Sequence, residues 1–375
     1  MFPKNAVFFL HADDISGVTR VNLGLAKSFR DREINCSFLL TDVFQSSSIS
    51  EIEGFPLQRL GTPYPRKWLC SHGLGIKRAR KRFRRLLKEK LRSMEQTVIF
   101  PGYDISCSDM WQDFGESNRV VFVIHSDDPF YYHFLENDAK NAHHLVAVSQ
   151  YLADKVQNDF PVLRDRVVHI PNGIEVNPWI YEKEALLDAP LRILFAGRIE
   201  QQQKQVFDIP KIMQRLEKAE VRYHLDIIGD GPDREVMEQM CSDLLVATNY
   251  TFHGRLSHEN TLKLMNAAHV YLSTSAYEGL SMSLLEAGSQ GCIPVVSKIK
   301  SGNDQVVHDG ETGYLIEINH VEAYAHRLSL LAHQSINLKD LSIHIRKAFE
   351  KSRFTIESMG NAYIDFFKTI KRENV

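Results

Sequence analysis

The chain has 375 residues, of which 43% are hydrophobic and 25% are charged, and its formal net charge is −2. This length is too great for one comfortable core and suits two domains, and the composition is ordinary for a soluble globular enzyme. A nearly neutral net charge predicts no global attraction to nucleic acid or anionic lipid, so any such binding must be local.

The cysteines and the apolar segments indicate the compartment. The five cysteines are scattered and form no Cys-x-x-Cys motif, which argues against a disulfide framework or a zinc site. The apolar run near the amino terminus is too short for a signal peptide, and no small-residue cleavage site follows it. No stretch approaches the roughly 18 apolar residues that a membrane span needs. We therefore expect a cytoplasmic protein.

The first elements form a strand, a loop and a helix. The apolar run Ala6–Leu10 predicts a buried strand, and the spacing of apolar residues predicts a helix over Val18–Arg30. Gly17 lies at the end of the loop between them. Ligands collect at the carboxyl ends of strands in such α/β units, although one Gly before a helix also fits a plain tight turn. A second strand is expected at Ile34–Leu40, before the loop-rich residues 41–75.

A basic segment follows this loop region. Residues 66–92 contain twelve Lys or Arg and a single acid, and apolar residues recur among them at helical spacing. The pattern predicts a basic amphipathic helix over 77–92 with Arg80, Arg84 and Arg85 on its charged side. Such a helix can be a solvated surface helix packed by its apolar stripe. It can also bind a membrane surface or an anionic acceptor, or, as a third reading, nucleic acid.

The next strand ends at a histidine. Val120–His125 is apolar up to His125, and Asp127 follows two residues later. A histidine at the end of a buried strand opens onto the ligand side of a sheet, where a structural hydrogen bond is as plausible as a functional contact. Further along, Ser149 is expected to cap a helix over Gln150–Gln157.

The second half opens a new α/β series. Leu191–Ala196 predicts a strand, which Gly197 and Arg198 follow directly. Lys204 lies six residues beyond Arg198, in a polar loop before the helix expected at Phe207–Leu216. By themselves, two cations in a polar loop are consistent with solvated charge.

Two further strands end in sharp turns. They are expected at His224–Ile228 and Tyr250–His253, and the turns after them begin at Gly229 and Gly254. The second turn then carries Arg255, Leu256 and a helix cap, Ser257.

Residues 270–297 predict a strand, a polar bend, a helix and another strand. The strands are Val270–Ser273 and Ile293–Val296, and the helix covers Leu280–Gly291. The mouth of a helix offers unpaired N–H groups and the positive end of a dipole, which suits phosphate. The residues at this mouth are Gly279, Leu280 and Ser281.

Two carboxylates flank this helix mouth. Glu278 lies in the bend and Glu286 lies two turns into the helix. Eight residues of helix rotate by about 800°, so the two side-chain directions differ by about 80°. Glu286 is placed between Leu285 and Ala287 in the least polar part of the helix, and a carboxylate there needs a partner to offset its desolvation.

The segment from Glu278 to Gly291 resembles the Glu-x7-Glu signature of the family-four retaining glycosyltransferases of the GT-B fold. This resemblance implies two Rossmann-like domains that face a cleft, over residues 1–173 and 191–352. It also implies a linker over 174–190 and a C-terminal helix, 353–375, that packs back on the first domain. Strand and helix patterns alternate in both halves, which is consistent with this α/β class.

The resemblance also implies roles for individual residues. Arg198 and Lys204 match the pair of cations that clamps the donor diphosphate, Glu278 matches the carboxylate on the donor sugar, and His125 matches a histidine near the anomeric centre. Glu286 is expected on the ribose. The remaining donor-binding positions implied by the resemblance are main-chain contacts at Gly17, Gly197, Gly229, Gly254, Arg255, Leu256, Gly279, Leu280 and Ser281.

The chain departs from the family pattern at three positions. Ser16 replaces the first Gly of the Gly-Gly-Val loop, and Gln205 replaces the Gly that usually follows the Lys. Gln305 stands where the family usually has Glu. Because Ser126 separates His125 from Asp127, the expected His-Asp pair is interrupted. Asp127 is expected on the acceptor side, and it is also the candidate for a second carboxylate beside Glu278.

The implied reaction moves a sugar from a UDP- or GDP-sugar to a hydroxyl of a glycan or lipid-linked acceptor, in polysaccharide or lipopolysaccharide synthesis. No metal and no separate cofactor are implied, because the chain has no Asp-x-Asp motif and two cations can do the charge work of a metal. Many transferases of this family act on lipid-linked acceptors at the inner membrane face. The resemblance therefore favours the interpretation in which the basic helix binds the membrane surface. No nucleic-acid partner is expected, and the oligomeric state is left open.

Two other functions fit the same fold. A sugar-nucleotide 2-epimerase would act on the donor without an acceptor, and the Glu-x7-Glu spacing together with the Arg198 and Lys204 pair disfavours it. A non-catalytic protein that binds a sugar nucleotide or a polyanion would show no turnover.

Overall fold

The computed structural model describes residues 2–10, 17–41, 50–59, 74–102, 108, 111, 118–176, 189–300, 302–333 and 337–372. The chain divides into two compact units. The first unit comprises Met1–Gly173 and Ile356–Val375, and the second comprises Ile174–Thr355. The linker expected over 174–190 lies largely outside the described residues.

Each unit contains one sheet. The strands of the first unit are β1 (Asn5–Leu10), β2 (Asn35–Leu40), β3 (Glu51–Ile52), β4 (Phe55–Arg59), β5 (Thr97–Phe100), β6 (Arg119–Ile124), β7 (His144–Ala147) and β8 (Val167–His169). The strands of the second unit are β9 (Leu191–Ala196), β10 (Tyr223–Ile228), β11 (Tyr250–Gly254), β12 (Val270–Ser273), β13 (Ile293–Ser297) and β14 (Tyr314–Ile316).

Helices connect most of these strands. They are α1 (Gly17–Arg30), α2 (Leu74–Arg92), α3 (Pro129–Asn137), α4 (Gln150–Asp159), α5 (Gln201–Lys204), α6 (Asp208–Lys218), α7 (Arg234–Leu244), α8 (His258–Ala267), α9 (Met282–Ser289), α10 (Asn303–Val306), α11 (Val321–Ala332), α12 (Leu338–Glu350) and α13 (Ile356–Arg372).

Both sheets are parallel apart from one short edge pairing. The strand order of the first sheet is β3-β4-β2-β1-β5-β6-β7-β8, and that of the second is β11-β10-β9-β12-β13-β14. Only β3 and β4, among the described strands, pair antiparallel. In each sheet the order reverses direction beside the first strand, which is the arrangement of a doubly wound α/β fold. The predicted α/β class with two parallel sheets is therefore confirmed.

Aromatic side chains fill the core of the first unit, and α13 completes it. The Phe8 ring stacks on Phe100 with the ring centroids 4.8 Å apart. Tyr363 of α13 meets the Phe100 ring edge-on at 5.7 Å. A Cβ added at Gly360 would lie 1.7 Å from Ser28 Oγ of α1, so the two helices cross too closely for a side chain there. The last helix thus belongs to the first core.

A buried helix fixes the site in the second unit. Both Leu284 and Leu285 of α9 are at most 1% exposed, which matches the predicted apolar stripe. A Cβ added at Gly288 would lie 2.3 Å from the Phe349 ring of α12, so α9 is held on both its sheet side and its outer side. The helix begins at Met282 and not at Leu280 as predicted, because Ser281 acts as its N-cap.

The structure describes three of the five cysteines. Cys36, Cys241 and Cys292 are free thiols, while Cys70 and Cys107 lie outside the described residues. Within the described ranges, no three His, Cys, Asp or Glu side chains come together in a way that would hold a metal ion.

Candidate functional site

Three glycines bring neighbouring strand ends together at one edge of the second sheet. Gly197 follows β9, Gly229 follows β10, and Gly254 ends β11. Gly197 N–H donates to Ile228 O at 3.0 Å, and Gly229 N–H donates to Gly254 O at 2.9 Å. Gly229 has a φ of +135°, and a Cβ there would lie 1.8 Å from Gly197 O. This edge is where ligands bind in parallel sheets.

Lys204 and Glu278 form an ion pair at this edge. Lys204 Nζ lies 2.6 Å from Glu278 Oε1, and the side chains are only 15% and 8% exposed. Gln203 Nε2 lies 3.5 Å from the other carboxylate oxygen of Glu278. Two charges this poorly hydrated attract each other more strongly than a surface pair does, because water screens them less.

The segment that carries Lys204 is a helical turn, α5, and not the polar loop that was predicted. The turn ends at Gln205, whose φ is +49° in the left-handed region. Gly adopts this conformation without strain, which gives a physical reason for the family's Gly at this position. The following bend holds the turn in place, since Ala276 N–H donates to Gln203 O at 2.8 Å and Thr274 Oγ donates to Lys204 O at 2.9 Å.

Arg198 is not part of this pair in the structure. Its guanidinium Nε lies 3.4 Å from Glu200, and its side chain is 65% exposed. The family resemblance implied that Arg198 and Lys204 together clamp a diphosphate, but the chain turns between them to form α5. Lys204 is thereby buried against Glu278, while Arg198 is directed to solvent.

The mouth of α9 lies two residues later than predicted, directly after the cap Ser281. Ser281 Oγ accepts a hydrogen bond from Leu284 N–H at 3.3 Å and so satisfies one amide of the first turn. Helix geometry gives the other first-turn amides no acceptor within the helix. Gly279 and Leu280 lead into this end, and Leu280 is 4% exposed. A Cβ added at Gly302 would lie 2.4 Å from Gly279 O, so the chain beyond β13 packs directly on the bend.

Glu286 has the partner that its burial requires. His258 Nε2 lies 2.9 Å from Glu286 Oε1, and the glutamate side chain is 12% exposed. His258 is the first residue of α8, which Ser257 caps as predicted by accepting from Asn260 N–H. The sequence predicted that Glu286 needs a hydrogen-bond partner. It contains no pattern that identifies His258, 28 positions earlier, as that partner.

The turns expected to border a nucleotide base lie at the same edge. Arg255 Nε is 3.9 Å from Asp230 Oδ2, with the Arg255 side chain 71% exposed, and Leu256 is half-buried. The turn after β10 is tied to the segment after β9, because Ile199 N–H donates to Asp230 O at 3.0 Å. A Cβ at Gly231 would lie 2.1 Å from Ile199 O.

Gln305 keeps a hydrogen-bonding role without the charge that the family has at this position. Arg353 Nη2 donates to Gln305 Oε1 at 3.2 Å. A neutral amide that accepts from a guanidinium leaves a net positive charge at this contact, where a glutamate would have cancelled it.

The remaining candidates lie in the first unit. His125 follows β6, and burial lowers its pKa to about 4, so the imidazole is neutral at neutral pH. Asp127 accepts hydrogen bonds from Tyr132 Oη and from Lys155 Nζ, the latter at 2.8 Å. Through these two hydrogen bonds Asp127 links α3 to α4. Gly17 begins α1 and is exposed, and among the described residues no atom lies within 4 Å of an added Cβ.

The basic helix forms as predicted and uses its apolar stripe for packing. Phe83, Leu87 and Leu91 are buried, while Arg84 is half-buried. Arg85 is exposed and lies 3.8 Å from Glu89. The side chain of Arg80 lies outside the described residues.

We expect the first unit to lose stability as the pH falls from 6.5 towards 4. Burial is the main reason why the pKa values of His125, His143 and His144 are each lowered to about 4. The folded protein keeps them neutral, whereas the unfolded chain takes up protons below about pH 6.5, so acid favours unfolding.

Urea unfolding at pH 7.0, 6.0 and 5.0 measures this effect. The free energy of unfolding should fall over this range, and the slope should be smaller in His143→Gln, which loses one of the three titrating groups. The exposed His333→Leu is the control and should keep the wild-type slope. A free energy that is constant from pH 7.0 to 5.0 would contradict the prediction.

Each of the two family models that match this chain covers most of one of its two units. A family model described as glycosyl transferases group 1 matches residues 180–348, and a model described as glycosyltransferase family 4 matches residues 15–177. The glycogen synthase of Mycobacterium tuberculosis is 27% identical over 169 residues, which are 45% of this chain and 40% of that protein. The lipopolysaccharide core biosynthesis glycosyltransferase LpsE of Rhizobium meliloti is 29% identical over 146 residues, or 38% and 40%.

Solved structures extend the likeness to the whole chain. A Staphylococcus aureus TarM variant in complex with fondaparinux, alpha-GlcNAc-glycerol and UDP has a TM-score of 0.79 at 14% identity, covering 97% of this chain and 99% of that one. At this identity the likeness concerns the fold. In sequence, the chain spans about two fifths of the length of the two curated relatives.

Proposed function

The chain belongs to the group 1 glycosyltransferases of family 4, and from that premise we propose that it moves a sugar from a nucleoside diphosphate sugar to an acceptor hydroxyl with retention of anomeric configuration. We further propose a UDP- or GDP-sugar as donor and a glycan or glycolipid as acceptor, in surface polysaccharide or lipopolysaccharide synthesis. The observation that carries the proposal is the poorly exposed Lys204–Glu278 pair beside the mouth of α9.

This pair supplies what the departing diphosphate needs. As the glycosidic bond breaks, negative charge grows on the phosphate oxygens, and a fixed cation stabilises that charge more than it stabilises the ground state. In the proposed reaction the Lys204 ammonium and the amides at the mouth of α9 contact the diphosphate. Glu278 then accepts hydrogen bonds from hydroxyls of the donor sugar.

Retention is proposed through a same-face mechanism. The leaving phosphate oxygen takes the proton of the acceptor hydroxyl while that hydroxyl attacks the anomeric carbon from the side that the phosphate leaves. The alternative, in which Glu278 is the nucleophile, would need a second carboxylate as acid and base. Asp127 was the candidate for that role, and its contacts with Tyr132 and Lys155 support a structural role for it instead.

Glu278→Ala tests the proposal against its alternatives. Wild type and variant are incubated with UDP- and GDP-sugars, with and without glycan or lipid-linked acceptors, and products are read by NMR, which also reports the anomer formed. A transferase gives product or donor hydrolysis that depends on Glu278. An epimerised sugar nucleotide without transfer would replace the proposal with the epimerase reading, and binding without turnover would replace it with the binding-protein reading.

The basic helix α2 is proposed to hold the enzyme at an anionic surface at the inner membrane face. None of the helices in the described ranges combines the length and the apolar composition that crossing a membrane requires. The apolar stripe of α2 is already buried by the first unit, whereas Lys81, Arg82 and Arg85 are exposed. This arrangement supports electrostatic attachment and not insertion of the helix into the bilayer.

Reversing charge on α2 should weaken binding to anionic vesicles. Each basic residue near such a surface contributes about 1 kcal/mol, so losing three cations should reduce vesicle binding by about 100-fold. Because glutamates are also repelled by the surface, Arg80→Glu/Arg84→Glu/Arg85→Glu should reduce it by at least that much. Cosedimentation with phosphatidylserine vesicles measures it, and binding of the wild type should fall as salt is raised.

A charge-matched control separates the helix from the net charge. Three cations of α6, on the second unit, are replaced by glutamate in Lys211→Glu/Arg215→Glu/Lys218→Glu, and this variant should bind vesicles more tightly than the α2 variant does. Equal binding of the two variants, or no binding by the wild type, would remove α2 as a membrane-binding element.

A further inference from the structure

We infer that His258 is a positioning residue for recognition of the donor ribose, acting through Glu286. The inference rests on the proposed function, in which Glu286 accepts hydrogen bonds from the ribose hydroxyls. His258 was not among the residues expected from the sequence. Its place in the site follows from one contact, between His258 Nε2 and Glu286 Oε1 at 2.9 Å.

The environment of Glu286 makes this contact consequential. The carboxylate is on α9 between Leu285 and Ala287, both fully buried, and its own side chain is 12% exposed. A carboxylate in such surroundings is costly unless it is hydrogen-bonded. Within the part of the chain that the structure describes, His258 is the side-chain partner of Glu286.

The backbone that carries His258 is itself held in place. Ser257 is the N-cap of α8 and accepts from Asn260 N–H at 3.3 Å, while Thr261 Oγ donates to Ser257 O at 3.0 Å. His258 is therefore the first residue of a helix whose start is fixed. The ring reaches α9 from a neighbouring helix, so the hydrogen bond joins two rigid elements.

A fixed carboxylate is what recognition of a ribose requires. The terminal torsion of a glutamate is broad, so an untethered carboxylate can rotate. With Oε1 bound by the imidazole N–H, rotation is restricted and Oε2 keeps one direction. Two adjacent ribose hydroxyls then meet acceptors already in position, which reduces the entropy lost on binding. The imidazole is 38% exposed at the side chain, so it borders the solvent-accessible part of the site.

Binding of UDP and GDP to His258 variants tests the inference by calorimetry. Whichever nucleotide binds the wild type more tightly is then compared with its 2′,3′-dideoxy analogue. Losing one charge-assisted hydrogen bond corresponds to about a tenfold change in Kd, so His258→Leu should bind the nucleotide about tenfold more weakly. His258→Gln, which keeps an N–H donor, should recover most of the affinity, and the exposed His333→Leu should match the wild type.

The dideoxy analogue provides the readout that a merely structural role would not change. It lacks the hydroxyls that Glu286 would bind, so wild type and His258→Leu should bind it with nearly the same Kd. Loss of a contact that is made equally in the ground state and the transition state raises KM and leaves kcat unchanged. With saturating donor, kcat of His258→Leu should therefore remain within about twofold of the wild type. Circular dichroism and urea unfolding establish that each variant is folded.

The outcomes separate the two proposals. If the wild type binds neither nucleotide, the proposed function fails. If the wild type binds a nucleotide and His258→Leu binds it equally well, His258 does not position Glu286. The inference is also overturned if His258→Leu weakens the dideoxy analogue as much as the parent nucleotide. Should His258→Leu not fold, the same comparison is made with His258→Gln and His258→Asn. The glutamine amide is long enough to reach Glu286 and the asparagine amide is not, so only His258→Gln should keep most of the affinity for the nucleotide.

Discussion

Replacing Lys204 with methionine is expected to lower kcat by about 10²–10³, the usual cost of removing one group that stabilises charge in a transition state. Methionine keeps most of the volume and removes the charge. In the structure this ammonium is 2.6 Å from Glu278 and poorly exposed, so its field acts on the site with little screening by water. Initial rates of sugar transfer or donor hydrolysis at saturating donor measure the loss.

Stability must be measured together with activity, because the same substitution leaves Glu278 without its cation. That should cost about 1–3 kcal/mol of folding free energy. In Lys204→Met/Glu278→Gln both charges are gone, so we expect stability close to the wild type while activity stays low. Lys263→Met, which breaks an exposed pair with Glu259, is the control and should change neither property. Wild-type kcat in Lys204→Met would remove Lys204 from the site.

Replacing Gly229 with alanine is expected to destabilise the second unit by about 3–5 kcal/mol, the sum of backbone strain and overpacking. The φ of +135° is one that L side chains rarely adopt, and the added Cβ would lie 1.8 Å from Gly197 O. Neither the strain nor the steric overlap can relax without moving the backbone, because the overlapped atom is the main-chain oxygen of Gly197 at the neighbouring strand end.

Gly310→Ala is the matched comparison. Gly310 also has a positive φ, +81°, but no atom in the described part of the chain lies within 4 Å of an added Cβ. Its substitution should therefore cost only the strain, about 1–2 kcal/mol. Urea unfolding of both variants separates strain from steric overlap, and equal costs would show that the close approach of Gly229 to Gly197 is unimportant.

Local patterns in the sequence predicted most of the second unit. The strands around 191–196, 224–228 and 270–273 lie within a residue or two of their predicted bounds, because buried parallel strands are apolar throughout. Ser149 and Ser257 cap their helices as predicted, since capping depends on the side chain of one residue. The turn α5 was missed because contacts with Thr274 and Ala276, about 70 positions later, hold it.

The candidate site was predicted as a set of residues but not as a set of contacts. Lys204 and Glu278 were expected on different parts of the donor, and in the structure they bind each other. Glu286 was expected to need a partner, yet a pairing with His258 depends on how α8 and α9 pack, which periodicity does not report. Asp127 was expected on the acceptor side, and its contact with Lys155 likewise joins segments that are distant in sequence.

The measurement that tests the central claim most directly is a crystal structure with the bound UDP- or GDP-sugar that stabilises the protein best against heat. We expect Lys204 Nζ to have left Glu278, from which it is now 2.6 Å distant, and to contact a diphosphate oxygen, with Glu278 on sugar hydroxyls and Glu286 on the ribose. A donor bound elsewhere, with the Lys204–Glu278 ion pair intact and no donor atom near Glu286, would contradict the account.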